Sequence, residues 1–441
     1  MVGFTSYQVA PSAARLTGSL RDIGYEFPAA VADIVDNSVA ASARRVSVDI
    51  EFDGLDSRVW ITDDGVGMTP SSTTEALRYG SRSNYRTLQL GRYGLGLKTA
   101  SLSQCRSVTV VSRAAGSQRT SARMLDLDLV DEWDDWVIVA PGRADQDVPL
   151  ARALLAEGPG TVVLWRGLDR VLPERRPDGG WARRRFEALA SRTAQHLGMV
   201  FHRFLEGAAG DGLTITVNGE KVEPWNPFAV DEPATQELPL QRFEVVVGDT
   251  SGMVELRRYV LPPRDRFTDP EGFDRLSGPL KWNRQQGVYV YRADRLVQWG
   301  GWAGVRGIDE HTKLARAALD FGTDLDEAFN INVAKMRVTL PPQLRQMLEQ
   351  PLHELCLRAD AAYRRVPRAA RPALPSQSRR SGGGLRTGEG AGASEPGSVP
   401  SAGLALRSAA MQAGEYEAFQ RILHTLREHA PDVARSLGLE E

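Results

Sequence analysis

Only two cysteines, Cys105 and Cys356, occur in 441 residues. They lie far apart and form no C-x-x-C, which excludes a disulfide framework and a cysteine-ligated zinc site and makes a reducing cytosol the expected compartment. Long apolar runs are missing too. No stretch approaches the roughly 18 residues of a membrane span, and Met1 to Arg15 lacks the basic and apolar regions of a signal peptide, so the expectation is a soluble, cytoplasmic protein with no membrane partner. Lysine is scarce: Lys98, Lys221, Lys281, Lys313 and Lys335 are five of 54 basic residues, the other 49 being arginine. Where arginine is the default cation, each lysine kept is a candidate for work that needs a compact ammonium. The net charge of -2 gives no global basic footprint, so any nucleic-acid contact has to rest on a local patch. A G-x-x-x-x-G-K-[ST] loop is absent, which excludes a P-loop nucleotide site. His196, His202, His311, His353, His424 and His429 show no metal-ligand spacing and read as structural or surface groups.

What is present is a globular composition, 42% hydrophobic and 25% charged, in a chain long enough for two domains and a tail. Glu26 to Ala43 reads as a helix with Pro28 in its first turn and Val31, Ile34, Val35 and Val39 as an apolar stripe. Alternating strands follow near 46–52 and 58–62, and more are expected at 107–112, 122–129, 136–140 and 161–165. A helix over 181–205 closes this block. The second block opens with a strand at 213–217 and an Asn218-Gly219 turn, adds strands at 243–247, 253–260 and 287–297, and ends in a helix over 342–364. The class is α+β. Expected domains are 1–210, 211–365, a Pro/Gly/Ser-rich linker 366–408, and a C-terminal helix within 409–441.

Three elements can carry chemistry. Asp33, Asp36 and Asn37 fall on one helix face at i, i+3 and i+4; alone they read as a solvated polar face. Asp63-Asp64-Gly65-Val66-Gly67-Met68 follows a strand, and alone it is an ordinary tight turn. Gly91-Arg92-Tyr93-Gly94-Leu95-Gly96-Leu97-Lys98 precedes a helix expected over 97–103, where free N–H groups and the helix dipole suit phosphates.

In this order, and with the Gly160-Thr161 strand start, these elements resemble the N-box, G1, G2 and G3 motifs of the GHKL ATPases, most closely those of MutL and MORC. The resemblance implies a Bergerat-type α/β sandwich that binds ATP and Mg²⁺. Asn37 would hold the metal, with Asp36 close to its shell. Asp63 would accept from the adenine amino group, with Gly65, Gly67 and Met68 around the base and Thr161 at the strand start. Gly91, Gly94 and Gly96 would close over the phosphates beside Lys98, and residues 71–90 would form a lid. The family's general base is Glu where this chain has Asp33, shorter by one C–C bond, about 1.5 Å. Slow hydrolysis is therefore expected, with Asp36 as the alternative base and binding without turnover left open. Gly287 to Arg292 with Arg295 to Val297 resembles the paired strands of the family's ribosomal-protein-S5-like transducer, and Asn332-Val333-Ala334-Lys335 the segment whose lysine reaches the γ-phosphate.

The function so implied is a nucleotide-driven closure and dimerisation switch. Its expected partners are a second copy of the chain and a protein encoded nearby, a nuclease or helicase in a DNA-associated process such as antiphage defence. A client-remodelling chaperone is the alternative from another class. Trp299-Gly300-Gly301-Trp302 reads as a glycine loop capped by buried tryptophans rather than a stacking surface. Arg364, Arg365, Arg368, Arg371, Arg379, Arg380 and Arg386 lie in a stretch without Asp or Glu between Asp360 and Glu389, which reads either as a solvated linker or as a basic arm for non-specific DNA contact.

Overall fold

The computed structural model describes residues 11–22, 24–79, 96–172, 178–210, 212–248, 250–330 and 338–364, and near the C-terminus 419–420 and 423–425. Met1–Ala370 form one compact unit and Arg371–Glu441 a second. Among the described residues the first unit holds two sheets. The first comprises β1 (Arg45–Glu51), β2 (Arg58–Asp63), β3 (Ser107–Arg113), β4 (Thr120–Asp126), β5 (Gly160–Arg166), β6 (Thr214–Val217) and β7 (Glu220–Lys221), in the order β4-β3-β5-β2-β1-β6-β7. Neighbours run antiparallel except β1 and β6.

The helices around it are α1 (Ala13–Arg21), α2 (Phe27–Ala40), α3 (Pro70–Leu77), α4 (Gly96–Leu102), α5 (Leu127–Trp133), α6 (Asp147–Leu154), α7 (Gly180–Val200) and α8 (His202–Leu205). Alternation in β1 turns Val46, Val48 and Ile50 inward, where they join Val31, Ile34 and Val35 of α2 and Phe186, Leu189 and Leu197 of α7 in one core. In β5 every residue but the last is buried, because its two faces are covered differently: α2 and α7 pack on one, and α6, which periodicity did not reveal, caps the other with Val148 and Ala151 against Trp60, Val162 and Leu164.

The second sheet contains β8 (Gln236–Val247), β9 (Thr250–Val260), β10 (Gly287–Arg292), β11 (Arg295–Gln298) and β12 (Ala315–Phe321), in the order β11-β10-β12-β9-β8, with β10 and β12 parallel. Short helices α9 (Pro270–Leu276) and α10 (Lys281–Gln285) precede β10, and α11 (Pro342–Arg364) lays Leu344, Leu348, Leu352, Leu355 and Ala359 into the core of this sheet. The end of α7 and α8 meet it through Met199 and through His202, whose Nε2 is 2.8 Å from the Tyr291 hydroxyl.

The structure departs from the sequence reading in particular places. The strand at 214–217 completes the first sheet beside β1, where register pairs Val46 with Ile215, instead of opening the second block. The strand expected over 122–129 stops at Asp126, whose carboxylate accepts from Asp128 N (2.9 Å) and caps α5. The strand expected at 136–140 is reduced to one bridge, Met124 to Val139; Asp134 just before it turns left-handed (φ 48°), and Trp136 leaves to pack edge-on against Tyr79. The helix over 181–205 breaks at Phe201. Trp302 is buried, as expected, and Trp299 half-buried, with Gly300 and Gly301 both at φ 70°. Arg364 is not an unopposed charge: it lies in α11 and pairs with Asp360 at 2.8 Å. The other six arginines of that stretch, the linker and most of the last expected helix lie outside the described residues. No helix among the described residues is long and apolar enough to cross a membrane.

Candidate functional site

Asp63 is the last residue of β2, and pairing fixes it between Val46 of β1 and Thr161 of β5. Its two oxygens are held separately: Oδ1 accepts from Gly65 N (2.9 Å) and Oδ2 from the Ser38 hydroxyl of α2 (2.9 Å). Burial raises this carboxyl above the usual range, and those same hydrogen bonds pull against it. Two glycines make the corner possible. Gly67 has φ +65°, and a Cβ there would stand 1.9 Å from Arg113 O; a Cβ on Gly160 would stand 2.2 Å from Asp63 O. Met68 N then donates to the Ser112 hydroxyl (2.8 Å), which also donates to Gly160 O (2.9 Å) and lies 3.0 Å from the Thr161 hydroxyl. Residues expected at one site from three separate segments are thus joined by one hydrogen-bond network.

The polar face of α2 is not solvated. Asp33 is 2% and Asp36 0% exposed, and only Asn37 is half-buried. Asp33 Oδ2 accepts from the Tyr25 hydroxyl (2.9 Å), whose proton burial holds far more tightly than usual. Both Asp36 oxygens accept from Arg295 Nε at 2.9 Å, and Arg295 Nη2 stands 3.7 Å from Asp33 Oδ1. Sequence reasoning named Asp36 but missed Arg295 as its partner, since the residues lie 259 positions apart and only the packing of the second sheet joins them. His196 of α7, beside this cluster, is pushed down to about 4 by burial first and then by the Arg295 charge, so it is neutral at physiological pH.

Of the glycine loop, Gly96 is described and Gly91 and Gly94 lie outside the described residues, as does Lys335. Gly96 opens α4 next to α2, where its Cβ position is 3.7 Å from Asp33 Oδ2, so the loop's end and the candidate base adjoin. Lys98 is 1% exposed, donates from Nζ to Arg78 O (2.6 Å) and is pulled down to about 8 by burial. It therefore ties α4 to the segment that follows α3.

Residues 25–161 match the family of histidine kinase-, DNA gyrase B- and HSP90-like ATPases. The chain carries a GHKL-type ATPase domain. The matched segment runs from Tyr25, which bonds Asp33, to Thr161, which faces Asp63, so it encloses the first-sheet residues of the site. No individual curated protein matches the chain. ATP hydrolysis is the activity of such a domain, and GHKL ATPases bind ATP with Mg²⁺. Asn37 carries an amide oxygen of the hard type Mg²⁺ prefers, its Nδ2 being taken up by Asp33 O (3.0 Å).

The Gly67 geometry yields a direct test. Gly67→Ala should destabilise the domain by more than about 1 kcal/mol, because alanine at positive φ is strained and its methyl meets a backbone carbonyl. Thermal melting checks this; an unchanged midpoint would mean that the turn has a different backbone.

Proposed function

We propose that the protein is an ATP-driven switch of the MutL/MORC kind, in which nucleotide binding closes the site and pairs two ATPase domains, and hydrolysis resets them. The five-stranded sheet with α11 serves as the S5-like transducer. The observation carrying this reading is the contact between them: Arg295, the first residue of β11, bonds Asp36 inside the ATPase domain. A pathway from nucleotide to second sheet thus needs one ion pair.

The residue roles follow from chemistry. Asp63 accepts from the adenine amino group, which selects adenine over guanine because guanine has a carbonyl there, while Gly65, Gly67 and Met68 leave room for the base. Asn37 holds Mg²⁺, which when bound neutralises phosphate charge. Gly91, Gly94 and Gly96 surround the phosphates, with Lys98 fastening α4 beside them. Asp33 takes the proton of the attacking water, one oxygen fixed by Tyr25. Lys335 reaches the γ-phosphate. The setting is a DNA-associated process such as bacterial genome defence, with a partner encoded nearby, a nuclease or helicase, acting on the DNA, and the arginines after Arg364 as a non-specific tether.

For Asp63, the expected outcome is pH dependence. Its carboxyl is raised, so the acceptor is intact above that raised value and is lost as pH falls through it, at a pH above the ordinary value near 4. ATP affinity measured by calorimetry should weaken over that window, and Asp63→Asn should lose ATP binding at every pH. Affinity independent of both would remove the adenine role.

Asp33→Ala should keep ATP binding and stop hydrolysis, while Lys335→Ala should weaken hydrolysis and leave ADP affinity nearly unchanged. Normal turnover in the first, or equal losses of ATP and ADP affinity in the second, counts against the assigned roles. The setting is tested by steady-state turnover with added duplex DNA or with unfolded protein. Stimulation by duplex, weakening steeply between about 50 and 200 mM salt, supports the DNA switch; stimulation by unfolded protein alone transfers the switch to chaperone work.

A further inference from the structure

We propose that Arg295 is a positioning residue for hydrolysis, through which the second sheet sets the alignment of Asp33. The inference rests on the reading of Asp33 as the base. Asp33 and Asp36 are one helical turn apart and almost wholly buried, so their charges repel in a poorly screened setting, and the guanidinium of Arg295 spans both. Its three nitrogens are used differently. Nε bonds both oxygens of Asp36 at 2.9 Å, Nη1 donates to Leu296 O at 3.1 Å, and Nη2 stops 3.7 Å from Asp33 Oδ1. The last contact is beyond hydrogen-bond length, so the charge stabilises Asp33 without capturing it. A shift of about 1 Å toward Asp33 makes that contact a direct hydrogen bond and changes how Asp33 is aligned.

The hairpin bearing Arg295 is suited to transmit such a shift. Arg292 and Arg295 face each other across a two-residue turn, with Ala293 at φ 46° and Asp294 at φ 66°, the tight geometry that fixes strand register. Arg292 is clamped to Asp326 by bonds of 2.6 and 2.7 Å. The hairpin therefore moves with its own sheet, and Arg295 moves with the hairpin. From the other side come Phe201, just after α7, whose ring centroid is 5.9 Å from the guanidinium carbon, and the neutral His196 of α7.

The test is a comparison of nucleotide affinity with turnover in the full-length chain. Arg295→Met should lower kcat on the order of 100-fold, the scale of an ångström-sized misplacement, with ATP affinity changed by less than about threefold, since the residue does not touch nucleotide. Arg295→Lys keeps the charge but cannot span two carboxylates, and should restore only part of kcat. Because Arg295→Met strands buried carboxylates and can unfold the chain, the double variant Asp36→Asn with Arg295→Gln replaces the ion pair by an amide pair. It should melt near the wild-type temperature, bind ATP and remain slow. Wild-type turnover in the folded double variant, or equal losses of affinity and kcat in it, overturns the proposal. Normal turnover by Asp33→Ala, in contrast, removes the base assignment itself.

Discussion

Burying two carboxylates one turn apart in a helix is the constraint on which the rest of this structure depends. Each would cost several kcal/mol to desolvate without partners. Helix α2 is packed between the sheet, α4 and α7, so bulk water does not replace protein partners there. Partners come from outside the helix, Tyr25 just ahead of it and Arg295 from the second sheet, while Ser38 of the same helix serves Asp63. Sequence neighbours alone do not satisfy this helix. Arg295 makes the second sheet part of the electrostatics of the ATPase domain rather than an appendage.

That dependence also decides what was legible in the sequence. The boundaries of α2, β1, β2, β3, β5 and α11 follow from local periodicity, which reports the inward face of an element. The glycines at 65 and 67 were legible as a tight turn, a property of single positions, whereas Gly160 entered only through the family resemblance; a Cβ at any of the three would clash. Partners were not legible. Nothing in residues 213–217 says that the strand lies parallel to β1 instead of opening a new sheet, and nothing in residues 147–154 says which face α6 covers. The Asp33, Asp36 and Asn37 face looked solvated because carboxylates at helical spacing usually are. The cation that buries it is far away in sequence.

The Asp63 corner and the α2 cluster respond to different kinds of change. Around Asp63 the network is short and backbone-rich: Gly65 N, Met68 N and Gly160 O take part, and none can be altered by a side-chain substitution without changing the turn itself. Around Asp33 the network is made of long side chains from separate elements, Tyr25 and Arg295 among them. Such a corner is rigid. A side-chain cluster bridging two sheets suits a group whose alignment has to change between states.

The few lysines sharpen the contrast. In a chain whose default cation is arginine, Lys98 is almost wholly buried, with its ammonium on one carbonyl, Arg78 O, and burial pulls it down to about 8, so it gives up its proton far more readily than an exposed lysine. An ammonium can be neutralised, so burial is tolerable there. A guanidinium stays charged, and Arg295 is placed where a permanent charge with several donors is needed: between two carboxylates that a single ammonium could not hold together. The two cations thus divide the work around Asp33, one fastening α4 to the chain after α3, the other fastening α2 to the second sheet. Of these two cations only Arg295 reaches from one sheet to the other, so it couples the charge on α2 to the position of β11.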